Sequence, residues 1–150
     1  MINNNVTVTQ RSSFEACYLM KVEPSASVQM HSHNYKVEVT VSGNQQMTDN
    51  GFIIEFSRLK HLLDSVLPDH KLILYPSYNT TIYDINKKFE YFTQGLSIVF
   101  NLDKEPTAEN LITYIVSKLQ DKLDTQYPGV TIVNAKLRET NDSFAEWTKA

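Results

Sequence analysis

Apolar and polar residues alternate with a period of two in three stretches of this chain and recur at helical spacing in two others. Val6-Thr7-Val8-Thr9 alternates strictly, and Phe14, Ala16 and Tyr18 continue the apolar set on one face. The pattern predicts one long N-terminal strand with an irregularity near Ser12-Ser13. Lys21 to Gln29 contains Pro24 and shows no period, which marks a loop. Tyr35, Val37, Val39 and Val41 then face one way, with Lys36, Glu38 and Thr40 on the other side. One face of this second strand is core, and the other meets water or a partner. Val130-Thr131-Ile132-Val133 opens a last strand running toward Leu137-Arg138-Glu139-Thr140.

Between the strands, Leu59, Leu62, Leu63, Val66 and Leu67 recur at intervals of three and four, the mark of an amphipathic helix lying on a sheet. Ser57 is its expected N-cap and Pro68 its stop, because proline cannot continue the hydrogen-bond ladder. A second helix carries Leu111, Ile112, Ile115, Val116, Leu119 and Leu123, with Thr107 as cap and Asn110 reaching back in a weak capping box. Residues 71 to 103 are read as an excursion containing a hairpin, Lys87 to Tyr91 and Leu96 to Phe100 around Thr93-Gln94-Gly95. Turns are expected at Gly43, Asp49-Asn50-Gly51 and Pro128-Gly129. The order β-β-α-hairpin-α-β gives an α+β domain with both helices gathered on one face of an antiparallel sheet.

Length changes this picture little, since 150 residues make one domain spanning 1–150. Charge removes a class of partners. With 14 basic and 17 acidic side chains the net charge is −3, and no basic run exceeds Lys87-Lys88, so no nucleic-acid partner is expected. The N-terminus lacks the basic and apolar regions of a signal peptide, and no apolar run approaches the length of a bilayer span. No membrane association and a cytoplasmic location are the expectations. Cys17 is the one cysteine, so the chain has no internal disulfide.

Four sets of residues are candidates for chemistry. His31 and His33, at i and i+2 on a strand, direct both imidazoles to one side, where they can share an ion. They are fewer than the ligands zinc requires, and an ordinary polar strand end has the same spacing. Asp69-His70 follows the helix-ending proline and can relay protons if the carboxylate holds the ring, although neighbouring loop residues often point apart. Glu139 near a strand end can accept two parallel N–H bonds from an amidine-like edge, or simply face solvent. Thr107 offers its hydroxyl and the donors of a helix start, unless capping consumes them.

Taken in order, these residues are similar to the family of 6-pyruvoyl-tetrahydropterin synthase and bacterial 6-carboxytetrahydropterin synthase. Phe14-Glu15-Ala16-Cys17-Tyr18 stands where that family has Phe-x-Ala-Ala-His, and His31-Ser32-His33-Asn34-Tyr35 matches His-Gly-His-x-(Tyr/Phe). The match continues through Gly51 to Lys60, Asp69-His70-Lys71, Pro106-Thr107-Ala108-Glu109-Asn110 and Glu139-Thr140. The resemblance implies a tunnelling fold whose copies close a barrel, as a homo-oligomer, a hexamer of two trimers, with pockets at subunit boundaries. It implies that His31 and His33 are two of three zinc ligands and that Asp69 and His70 form a proton relay. It further implies that Glu139, with Thr140 and donors around Thr107, holds a pterin or guanine-like small molecule.

Two positions depart from the family pattern. Tyr18 stands where the remaining zinc histidine belongs, and Ser27 stands where the catalytic cysteine belongs. A neutral phenol is a poor zinc ligand, so zinc as cofactor is weakened, and a serine hydroxyl forms an anion far less readily than a thiol. Glu23 is a candidate carboxylate base in place of the cysteine. Cys17 follows strand alternation to the opposite face from Tyr18 unless the irregularity at Ser12-Ser13 shifts the register. The expected function is binding of a reduced pterin with action on its side chain and the standard synthase activity absent or reduced. The alternative is a non-catalytic pterin-binding or structural, regulatory oligomeric paralogue.

Overall fold

The computed structural model describes residues 6–20, 29–45, 50–74 and 99–150. Its elements are β1 (Thr7–Met20), β2 (Gln29–Ser42), α1 (Phe56–Val66), β3 (Lys71–Leu74), β4 (Val99–Asn101), α2 (Ala108–Gln126), β5 (Thr131–Thr140) and β6 (Ser143–Thr148). The strands form one sheet in the order β4-β3-β1-β2-β5-β6. β1, β2, β5 and β6 pair antiparallel, whereas β3 joins β1, and β4 joins β3, in parallel. The fold is therefore α+β as expected, with a parallel extension at one side that the periodicity did not reveal. Two short strands give too few alternations to be read. They are also the two ends of the 71 to 103 excursion, whose expected turn and first arm lie outside the described residues.

β1 and β2 pair without a break from Thr7 opposite Ser42 to Met20 opposite Gln29. The expected irregularity near Ser12-Ser13 is absent, so strict alternation holds along both strands. Phe14, Ala16, Tyr18, Tyr35, Val37, Val39 and Val41 face the helices and are buried, while Arg11, Glu15, Cys17, Ser32, Asn34, Lys36 and Glu38 take the other face. Leu59 and Leu63 from α1, and Leu111, Ile115, Leu119 and Leu123 from α2, complete one core with the inward strand residues.

β5 keeps its inward face by a one-residue insertion. Val41 pairs with Ile132 but Thr40 with Asn134, so Val133 is extra. Without that bulge Ile132 and Ala135, three residues apart, could not both face the core, yet both are buried. Gln120 ties α2 to this strand: its Nε2 donates to the Val130 carbonyl at 3.1 Å and its Oε1 accepts from the Ile132 N–H at 2.9 Å.

The helix starts differ from each other. Thr107 caps α2 as expected, its Oγ1 accepting the Asn110 N–H at 3.2 Å, although the Asn110 amide reaches the Glu105 carbonyl at 2.9 Å and not the cap itself. The α1 cap lies two residues before the expected one: Glu55 is the N-cap without a side-chain bond, and Ser57 lies inside the first turn. Buried Ile53 and Ile54 pin the entering chain, so packing sets the helix start in place of the serine hydroxyl.

Candidate functional site

The unbroken β1–β2 register places Tyr18 opposite His31 and Ala16 opposite His33, all on the helix-covered face near one end of the sheet. The Tyr18 ring stacks on both imidazoles, with centroids 5.1 Å from His31 and 5.7 Å from His33. His33 in turn meets the Tyr35 ring edge-on at 5.7 Å, and Tyr35 stacks on Phe14 at 4.7 Å. The two histidines therefore reach the same side, and the aromatic wall behind them is the continuation of the core.

Glu139 enters this cluster through a second bulge. Arg138 pairs with Phe144 and Thr140 with Ser143, so the β5–β6 ladder passes over Glu139. Its Oε1 lies 3.2 Å from His33 Nε2, and the Tyr18 hydroxyl lies 3.4 Å from the same nitrogen. Burial, then the hydrogen bond to Glu139 and the carboxylate's charge, push the Tyr18 pKa up to about 12. The phenol is thus neutral at ordinary pH. Burial, followed by the charges of Glu139, Tyr18 and Cys17, also raises the pKa of Tyr35. His31 Nε2 and the Tyr35 hydroxyl are buried with no hydrogen-bond partner among the described residues, leaving two polar atoms for a ligand to satisfy.

This donor set does not match the three imidazoles that the family resemblance implies. Tyr18 supplies a neutral hydroxyl, and His33 Nε2 faces both that hydroxyl and Glu139. Among the described residues no three His, Cys, Asp or Glu side chains are grouped to hold a metal ion. Cys17 is no substitute. Alternation puts it on the other face with Ser32 and Leu72.

Asp69 and His70 form the expected pair, Oδ2 to Nδ1 at 3.0 Å, but beside the edge of β1. Asp69 Oδ1 accepts the Glu15 N–H at 3.0 Å, the His70 N–H donates to the Glu15 carbonyl at 2.7 Å, and His70 Nε2 is 3.7 Å from Glu15 Oε2. His70 has φ +56°, a left-handed turn that these contacts hold in place. The Glu15 N–H, and secondarily His70, keep the Asp69 carboxyl below the usual range. Next to the pair is a groove of about 450 Å³, lined by Cys17, Met30, Ser32 and Leu72 and reaching His33. No hydrogen bond or ion pair among the described residues joins Asp69 or His70 to His31, His33 or Glu139.

The remaining candidates are dispersed. Thr107 is half-buried and its oxygen caps α2. Thr140 is exposed, and its hydroxyl accepts the Asp142 N–H at 3.3 Å in the β5–β6 turn. Ser27 and Glu23 lie outside the described residues. Tyr35 was legible only as a core position, and its period-two placement gave no sign of the unsatisfied hydroxyl.

Residues 7–150 match the family model described as 6-pyruvoyl tetrahydropterin synthase. A 6-carboxy-5,6,7,8-tetrahydropterin synthase of Rickettsia bellii is 30% identical over 146 residues, covering 94% of this chain and 99% of the relative. The enzyme of the same description from Haemophilus influenzae is 28% identical over 147 residues, covering 93% and 96%. The crystal structure of 6-pyruvoyl tetrahydropterin synthase from Plasmodium vivax superposes with a TM-score of 0.70 at 18% identity, covering 98% of this chain and 99% of that one. The two folds are shared.

Proposed function

The chain belongs to the 6-pyruvoyl tetrahydropterin synthase family, and we propose that its Glu139 pocket binds the ring of a reduced pterin while the standard synthase activity is absent or strongly reduced. The observation that carries this is the bulged Glu139 carboxylate, held against His33 and Tyr18 at the end of an aromatic wall. A 2-aminopyrimidinone edge offers a carboxylate two parallel N–H donors, and the flat ring suits stacking against neighbouring aromatics. The relatives are by name synthases of a carboxylated tetrahydropterin, which supports this ligand class.

The chemistry next to the ring is altered by Tyr18. The missing third imidazole and the engaged His33 Nε2 support weak zinc binding, and no step is assigned to a metal. Proton transfer falls to Asp69-His70 and to a base near the side chain. Ser27 needs activation, whereas Glu23 ionises readily; the P. vivax synthase counts a glutamate among its catalytic residues. The relay makes no hydrogen bond to its own chain's cluster among the described residues, which supports a role for it in the pocket of a neighbouring copy. β3 pairs with β1 only at Ala16 to Tyr18 and Asp69-His70 takes the Glu15 backbone groups, so Thr7 to Phe14 present an open edge among the described residues, as β6 does at the other side. Open edges at two sides support a closed ring of copies, and the family resemblance sets that ring in a hexamer of two trimers.

A non-catalytic pterin-binding subunit is the second reading, favoured by the phenol and carboxylate that together close His33 Nε2. Calorimetry with a reduced pterin tests what both readings share: Glu139→Ala abolishes binding, and unchanged affinity overturns the retained pocket. Metal content separates the altered site from an ordinary one. Protein purified without added zinc contains little of it, and Tyr18→His gains zinc affinity. Stoichiometric tight zinc in the wild type overturns the altered-site account.

A further inference from the structure

Tyr35 is fully buried, yet its hydroxyl finds no hydrogen-bond partner among the described residues. Packing accounts for the ring but not for the oxygen. The ring stacks on Phe14 at 4.7 Å with the two planes 12° apart, meets the His33 ring edge-on at 5.7 Å, and heads the buried row of Val37, Val39 and Val41. A phenylalanine would make the same contacts. The hydroxyl therefore adds the cost of stripping water from a polar group with nothing in return, and buried polar groups left in that condition are uncommon in folded chains.

The surroundings of the oxygen supply a use for it. Burial first, and then the charges of Glu139, Tyr18 and Cys17, keep the phenol protonated, so an O–H donor stands within the field of the Glu139 carboxylate without bonding to it. Depth separates the two groups. The Glu139 and His33 side chains are 26% and 25% exposed, whereas Tyr35 has no exposed surface, so a flat ligand that enters at Glu139 has the phenol on its inner side. The rings of Phe14 and His33 hold Tyr35 in place, and the donor is fixed before any ligand arrives.

We propose that the Tyr35 hydroxyl is a specificity-determining donor, which hydrogen-bonds the ring carbonyl of a 2-amino-4-oxo ligand whose adjoining N–H groups are held by Glu139. The inference rests on the pterin reading of that pocket and names the part of the ring it selects. Along one edge such a ring offers two N–H donors and then a carbonyl acceptor, an order that a carboxylate followed by a phenol complements. With an amino group in place of the carbonyl, the phenol can only accept, and its own O–H stays unsatisfied. The pocket is built for the oxo ring.

The test is calorimetric titration of the intact protein with 6-methyltetrahydropterin and with its 4-amino analogue, which differ only at the group the phenol reads. Tyr35→Phe is expected to weaken the oxo ring about tenfold, the scale of one buried hydrogen bond, and to leave the amino analogue within about twofold. The ratio of the two affinities cancels whatever the analogue gains from its own basicity. Stability moves the other way: the phenylalanine removes an unsatisfied hydroxyl, so the thermal midpoint without ligand equals or exceeds that of the wild type. Equal effects on both rings overturn the inference, as does a variant that binds the oxo ring like the wild type. Wild-type protein carrying carbon-labelled tyrosine gives a readout free of any folding defect: the Tyr35 resonance shifts when the oxo ring binds, and an unmoved resonance overturns the inference. Glu139→Ala separates the two levels. If the wild type binds the oxo ring and Glu139→Ala does not, the pocket stands whatever Tyr35→Phe does; a wild type that binds neither ring overturns the pocket and the inference together.

Discussion

The two faces of the sheet use the same kinds of side chain to opposite effect. On the helix-covered face, Tyr18, His33 and Glu139 lie at the margin of the core, and a single carboxylate helps to move a phenol by about two pH units above its ordinary value. On the helix-free face, Arg11 and Glu38 form a closer ion pair at 2.8 Å, yet the arginine side chain is 82% exposed. Contact distance is therefore a poor guide to energetic weight here. Removal from water decides how far a charge is felt, so the covered face builds a tuned pocket and the open face a solvated field.

The most severe way to break this contrast is to collapse the layer that creates it. Leu119 is fully buried between α2 and the sheet, and Leu119→Ala is expected to destabilise the fold by about 2–5 kcal/mol in chemical denaturation. A loss below about 1 kcal/mol would show that the helix does not seal that face.

The alkaline titration of Tyr18 sharpens the contrast next. Because the folded-state pKa of about 12 exceeds the ordinary value near 10, the neutral phenol stabilises the fold fully below pH ~10. That contribution is lost as pH rises from ~10 through ~12. Ultraviolet difference spectra of wild type against Tyr18→Phe should show one tyrosine ionising late, and a transition at pH ~10 for that residue would remove the covered face's special character.

Asp69→Ala is a smaller perturbation at the boundary between the faces. It leaves the Glu15 N–H without its acceptor and frees the His70 turn, with an expected loss of about 1 kcal/mol by thermal or denaturant unfolding. The depressed carboxyl pKa gives a sign as well: this contribution is present above pH ~4 and fades as the pH falls below it. A wild type and variant that converge in acid and separate near neutrality bear this out; a constant gap contradicts it. Smallest of all is Arg11→Ala, expected within about 1 kcal/mol and shrinking further in high salt. A larger cost would mean that the open face is less solvated than its exposure indicates.

Much of the covered face was legible because burial imposes a period. Phe14, Ala16 and Tyr18 against Tyr35, Val37 and Val39, and the leucine rows of both helices, follow from alternation and the helical repeat. The candidate site was legible in parts: His31 and His33 share a face because of i, i+2 geometry, and Asp69 does hold His70. What periodicity could not convey was which parts would meet. Glu139 reaches His33 through a bulge, and a bulge leaves no signature in a hydrophobic pattern until the partner strand is known. Asp69-His70 instead follows β1's edge, because the Glu15 backbone groups claim it. Ser57 failed as a cap for a similar reason, since the burial of Ile53 and Ile54 outweighs a hydroxyl's preference.

Glu139 occupies a position that neither ladder of β5 includes. Its neighbours on the strand answer to register, where an exchange of size or polarity disturbs a partner across the sheet. Glu139 answers instead to the side chains of His33 and Tyr18, not to a ladder partner. Inherited changes at this one residue can therefore rewrite what the pocket recognises, from a carboxylate to an amide or an imidazole, while the pairing of the strands is transmitted unaltered. The scaffold and its chemistry are separable there, so descendants of one such domain can diverge in ligand without first diverging in fold.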